Sequence, residues 1–232
     1  EAHPLHAHPD RDALLRLAHR LSRLEGEVAE LSGRIDGTAD TVARRFGRLL
    51  DLLRRWGYVD GWTLTERGRI LARCYHECDL LVVESLAKGL LDGLDPATVA
   101  ALVSCFTYEH RSRTVPPPAW LPSATARERH RAIVRLADRL NAEEERAQLV
   151  VTRAPDAGFA ALAHAWASGG DLDAVLDDEE LSGGDFVRNV KQLVDLLRQL
   201  GDIAPEPATA AAARSAAEAL FRGVVAASSG VD

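Results

Sequence analysis

Residues 185–200 read DFVRNVKQLVDLLRQL. Phe186, Val190, Leu193, Leu197 and Leu200 recur at steps of 4, 3, 4 and 3, and Val187, Val194 and Leu196 widen the stripe. Only a period of about 3.6 residues gathers such positions on one face, so the stretch is an amphipathic helix with a buried side. Arg188, Gln192, Asp195 and Gln199 lie opposite at i, i+4, i+7 and i+11, flanked by Lys191. That wet face has two readings. It is the solvated side of an ordinary bundle helix, or it lies along a strand of nucleic acid, with Arg and Lys meeting phosphates while Gln hydrogen-bonds bases.

The same period recurs along the chain. Leu14, Leu17, Leu21, Leu24, Val28 and Leu31 follow steps of 3, 4, 3, 4 and 3 over residues 11–31, the narrow heptad seam of a coiled coil. Asp10 is placed to cap that helix, and Gly33 and Gly37 to end it. A second helix is expected from about Asp40 to Trp56, with Val42, Phe46, Leu49, Leu50 and Leu53 on one face. Gly57 and Gly61 favour tight turns, and the β-prone residues between them make at most a short ribbon before Thr65 caps the next helix. Helix, ribbon and helix in this order suit a winged-helix-like element and a plain helical corner equally. Further helices are expected near 79–92, 96–108, 123–147, 156–168, 185–200 and 207–227, with Asp79 and Asp95 as N-caps and Pro96 at a first helical position. The run VPPPAWLP, 115–122, is an extended loop. No convincing period-2 strand occurs. The fold class is therefore all-α: a helical bundle with an N-terminal coiled-coil helix and room for one short winged-helix-like β ribbon.

With 232 residues, 47% hydrophobic and 27% charged, the chain has the balance of a soluble globular protein that builds its core without metal or disulfide support. No apolar run approaches the ~20 residues that span a bilayer, and the first residues lack a secretory pattern. Three cysteines fit a reducing, cytoplasmic setting better than a disulfide framework. No methionine occurs, so the expectation is a chain processed or cut from a longer polypeptide. A net charge of −7 argues against a stand-alone grip on nucleic acid, which needs a basic face.

Neither a G-x-x-x-x-G-K-[ST] loop nor a G-x-G-x-x-G fingerprint occurs, so nothing here cradles a nucleoside triphosphate and no ATPase activity is expected of the chain. Asp177, Asp178, Glu179 and Glu180 read as solvated turn charge rather than an acid/base pair. His3, His6 and His8 lack an evident fourth ligand, and no metal site is assigned to them. Cys74 and Cys78, placed one helical turn apart, and Cys105 in the apolar run Val103–Phe106 read as buried core.

Two ordered blocks carry a resemblance to a known family. Residues 64–109, LTERGRILARCYHECDLLVVESLAKGLLDGLDPATVAALVSCFTYE, resemble the start of the DSHCT domain of superkiller-type DExH-box RNA helicases. The matching positions are Gly68, Arg69, Leu80, Leu81, Glu84, Leu94, Pro96, Ala100, Ala101, Leu102, Ser104, Cys105 and Phe106. Residues 165–200, AWASGGDLDAVLDDEELSGGDFVRNVKQLVDLLRQL, are similar to a later block of the same domain. There the match falls on Trp166, Gly169, Gly184, Val187, Arg188, Lys191, Leu193, Asp195, Leu196, Leu197, Arg198 and Gln199. The N-terminal HPLHAHPDRD and the helix after it resemble the end of the arm inserted in actinobacterial members.

The resemblance implies a returning stalk helix over 1–37 and a DSHCT bundle over 38–232, closing over two RecA-like motor domains of the same polypeptide. It implies that helix 185–200 is the ratchet helix touching a single strand of RNA through Arg188, Lys191 and Gln192. Glu109, followed by His110 and Arg111, would line the exit path. ATP and Mg would belong to the motor of the full-length helicase, with no cofactor in this chain. RNA-degradation machinery is an implied partner, and a membrane is not. Two other classes compete with this expectation. One is a non-catalytic protein-interaction module using the coiled-coil arm and the Pro-rich loop, and the other a winged-helix DNA-binding regulator resting on residues 41–75.

Overall fold

The computed structural model describes residues 10–110, 119–172, 175 and 181–228, with the backbone alone at 29 and 31–40. The structure is all-α apart from one two-stranded ribbon. The chain divides into two compact units, Glu1–Leu50 and Asp51–Asp232. His3, His6, His8, Arg111, the prolines at 116–118 and the acidic run 177–180 lie outside the described residues.

The first unit is made by helix α1, Arg11–Arg55, which runs for 45 residues and continues into the second unit. Its backbone stays helical through Gly33 and Gly37, so the two expected helices are one. A glycine inside a helix costs only about 1 kcal/mol relative to alanine, a small penalty beside the many good helix formers around these two. Leu14, Leu17, Leu21, Leu24 and Val28 are all exposed along it.

The second unit starts from a corner. Strands β1, Val59–Asp60, and β2, Thr63–Leu64, pair antiparallel with Val59 opposite Leu64 and Asp60 opposite Thr63. The turn between them opens on Gly61 at φ +58°, the positive-φ geometry that two-residue hairpins require. Thr65 then caps α2, Glu66–Leu71, accepting from the Gly68 amide at 3.1 Å. Behind the ribbon, the Tyr58 hydroxyl donates to buried Glu84 at 2.7 Å, and Arg67 and Lys88 bring their charges to the same carboxylate. A buried carboxylate needs such partners, and this one locks the ribbon to α3, Asp79–Ala87.

Two details of this region differ from expectation. Cys74 and Cys78 are buried as expected, but in the irregular link between α2 and α3 rather than on a helix. Cys78, not Asp79, occupies the N-cap of α3, while the Asp79 carboxylate accepts from the Leu80 amide at 2.6 Å.

The core is organised around α4, Pro96–Thr107. Asp95 caps it and Pro96 occupies its first turn, as the sequence predicts. Every residue from Thr98 to Phe106 is buried, the mark of a helix enclosed on all sides. Around it pack α5, Ala124–Arg146; a 3-10 turn, Ala157–Phe159; α6, Ala160–Ala167; α7, Gly183–Ile203; and α8, Pro207–Leu220. The last expected helix is two, because the chain breaks at Phe221 and Arg222 before α9, Gly223–Ala227. Gly223, at φ +51°, and Arg222 hold the break: the Arg222 guanidinium lies 3.6 Å from the centroid of the Trp166 ring and donates to the carbonyls of Trp166 and Gly170 at 2.8 and 2.6 Å. Among the described residues no helix is long and apolar enough to cross a membrane.

Candidate nucleic-acid interface

Helix α7 begins at a cap. The Ser182 hydroxyl accepts from the Asp185 amide at 3.1 Å and donates to the Asp185 carboxylate at 2.7 Å. Phe186, Val190, Leu193, Val194, Leu196, Leu197 and Leu200 are buried, so the apolar stripe faces the core as its spacing demands. Phe186 fixes the N-terminal half firmly. Its ring meets Trp166 edge-on at 5.4 Å and tilts against Phe159 at 5.9 Å, geometries aromatic pairs favour.

The other face carries the sequence-predicted residues. Arg188, Gln192, Asp195 and Arg198 are exposed. Arg188 pairs loosely with Asp185 at 3.2 Å across the helix surface, a contact that solvent screens strongly. Lys191 points to the C-terminal end of α9, where its ammonium donates to the Ser228 carbonyl at 3.0 Å. An ammonium has three donors, so this contact steers Lys191 without exhausting it. Gln199 departs from the expected wet face. Its side-chain oxygen accepts from the Tyr75 amide at 2.7 Å and ties α7 to the link between α2 and α3.

Glu109 is exposed, two residues past the end of α4. The segment that carries it is anchored by two residues that follow α5 in the chain, Arg153 and Asp156. Arg153 donates to the carbonyls of Phe106 and Tyr108 and pairs with Glu77. Asp156 accepts from the His110 amide at 2.7 Å and the Gly158 amide at 2.8 Å, while its own amide donates to the Cys105 carbonyl at 2.9 Å. The Tyr108 ring stacks on Phe159 at 5.5 Å, so a row of rings, Tyr108, Phe159 and Phe186, joins the Glu109 segment to the N-terminal half of α7. Arg153 carries no sequence signal beyond its residue type, because the carbonyls it holds lie more than 40 residues away, whereas Asp156 is a local N-cap whose reach to His110 the sequence does not show.

Nothing in this set is built for acid/base or nucleophilic chemistry. Burial pushes the thiols of Cys74 and Cys105 up to about 12 and that of Cys78 up to about 11, which leaves them as protonated core atoms. Among the described residues no group of three or more His, Cys, Asp or Glu side chains is arranged to hold a metal ion. The exposed face of α7 suits recognition: hydrogen-bonding and charged groups of both signs on a rigid helix.

The DSHCT (NUC185) domain family matches residues 61–228. The chain is 36% identical to the probable helicase HelY of Mycobacterium tuberculosis over an alignment covering 98% of this chain and 27% of the relative. The probable helicase HelY of Mycobacterium leprae is 39% identical over 96% of this chain and 26% of the relative. More distantly, human exosome RNA helicase MTR4 is 22% identical over 86% of this chain and 19% of the relative. The chain thus spans about a quarter of the length of the HelY proteins it matches. Strand β2, buried α4 and capped α7 all fall within the matched span, and the chain belongs to the DSHCT domain family.

Proposed function

We propose that this chain is the C-terminal accessory domain of an ATP-dependent DExH-box RNA helicase, packing on the RecA-like motor of the same polypeptide and guiding single-stranded RNA along α7. ATP and Mg act at the motor, and the chain itself hydrolyses nothing. The observation that supports this reading is the division of labour on α7: one side is held in the core by Phe186, and the other offers Arg188, Lys191 and Gln192 to a strand. Hydrogen bonds of this kind contribute roughly 0.5–3 kcal/mol each, enough to direct a strand and too little for tight independent binding. RNA-degradation machinery is the class of partner to which such a helicase would deliver its strand.

The test is Arg188→Glu in the helicase that carries this domain. Unwinding is expected to fall while ATP binding survives. Unchanged unwinding and unchanged RNA-stimulated ATPase would remove the guiding role from α7.

The exposed seam of Leu14, Leu17, Leu21, Leu24 and Val28 favours a second reading, a non-catalytic interaction module docking through its N-terminal arm. A pull-down comparing the intact chain with one lacking residues 1–37 separates the two. Loss of all partners on deletion, with RNA binding unaffected by Arg188→Glu, selects the second.

A further inference from the structure

Two aromatic residues among those described are nearly fully exposed, Trp62 at 81% and Tyr75 at 79%, and of these Tyr75 has its backbone hydrogen-bonded to α7. On either side of it Cys74 and Cys78 are buried, at 4% and 2% exposure. The turn is closed by hydrogen bonds from the Cys74 amide to the Leu71 carbonyl at 3.0 Å and from the Asp79 amide to the His76 carbonyl at 3.1 Å. Within it the Cys78 amide donates to His76 Nδ1 at 3.1 Å, and Glu77 pairs with Arg153. The remaining anchor comes from α7: Gln199 holds the Tyr75 amide at 2.7 Å.

Gln199 has a particular place on that helix. Arg188, Gln192, Asp195 and Gln199 follow i, i+4, i+7 and i+11, so they form one line along α7. Eleven residues of helix rise about 16 Å, a few nucleotides of single strand. Gln199 closes the line, and its side-chain oxygen positions the Tyr75 turn. The line of polar groups therefore ends at the backbone of Tyr75, on a rigid turn that carries an exposed aromatic ring, and proteins use such rings to stack a base irrespective of its identity.

From this juxtaposition we infer that Tyr75 is a base-stacking residue for the single strand, placed beyond the C-terminal end of the Arg188–Gln199 line by Gln199. The inference rests on the proposal that α7 guides RNA. It adds an aromatic contact from a different element and gives Gln199 a positioning role through its side-chain oxygen.

The experiment uses the 232-residue chain and a single-stranded RNA carrying 2-aminopurine, whose fluorescence changes when it stacks. Affinity is read by titration of native chain, Tyr75→Phe, Tyr75→Leu, Tyr75→Ala and Arg188→Glu. Tyr75→Phe is expected to bind like the native chain. Tyr75→Leu and Tyr75→Ala are expected to bind roughly 5- to 100-fold more weakly and to lose the fluorescence change, with the thermal midpoint unmoved because the side chain is exposed. Tyr75→Leu separates a ring from mere apolar bulk. Native affinity and an intact fluorescence change in Tyr75→Leu, with Arg188→Glu still weakening binding, would overturn the stacking role and leave the α7 proposal standing. Binding insensitive to every one of these variants would overturn both.

Discussion

Gly68 sits in α2 directly against the ribbon, and a Cβ there would collide with the backbone carbonyl of Tyr58. Backbone cannot retreat as a side-chain tip can, so Gly68→Ala is expected to destabilise the second unit by about 1–3 kcal/mol, read as a lower urea midpoint. The neighbouring Tyr58–Glu84–Arg67 cluster would be strained by the same shift, since the carbonyl and the hydroxyl belong to one residue. Two histidines give the molecule a predictable pH response. Burial holds His76 below its ordinary value, with Arg153 adding to the effect and Glu77 opposing it. Burial also lowers His130, against an opposing pull from Asp156. A lowered folded-state value means that the unfolded chain takes up protons first as pH falls below about 6.5, so stability present above that pH is lost beneath it. The urea midpoint is expected to drop between pH 7 and pH 5, and His130→Gln is expected to flatten that dependence. An unchanged slope would show that His130 is not charged preferentially in the unfolded state.

The cap of α7 governs how well the candidate face is presented, because Ser182 begins the helix less than two turns before Arg188. Ser182→Ala is expected to cost about 1 kcal/mol and to speed hydrogen exchange of the Asp185 and Phe186 amides, while exchange near Leu200 stays slow. Elements with a strong local signal were legible in the sequence. Asp95-Pro96 starts α4, Thr65 starts α2, and the 4-3-4-3 spacing of α7 predicts its buried face residue by residue. What failed was decided by good helix formers around a weak breaker or by contacts at a distance. Gly33 and Gly37 look like a stop, yet the helix runs on to Arg55. The break after Leu220 has a local mark in Gly223, at φ +51°, and is held by Arg222 reaching Trp166, 56 residues earlier in the chain. The Cys74–Cys78 link looks helical by spacing but is held open by partners on α7 and beyond α5. For the same reason Tyr75 and Arg153 were invisible as site-forming residues: each owes its position to a contact across the bundle.

At the scale of the molecule, charge sets the terms of any contact with RNA. The chain carries 28 Lys and Arg against 35 Asp and Glu. On α7 itself Arg188, Lys191 and Arg198 are matched by Asp185, Asp195 and Asp202, so these charges cancel in sum. Phosphate binding by a broad basic surface would release many counterions and be abolished by moderate salt. Binding through α7 predicts something different. With Arg188 and Lys191 the candidate phosphate contacts, and each contact to a single strand contributing a slope of about −0.7, the logarithm of affinity should fall with the logarithm of salt at a slope of about −1.4. Removing one of the two by Arg188→Gln should roughly halve that slope, whereas Tyr75→Leu should lower affinity and leave the slope alone, because stacking releases no counterion. Titrations of single-stranded RNA at four or five salt concentrations, with native chain and the two variants, measure all three slopes. A steep native slope that both variants preserve would mean that the strand runs over some other surface of the bundle. A shallow slope that responds to Arg188 alone would tie the electrostatic part of recognition to α7 and the remainder to its aromatic neighbour.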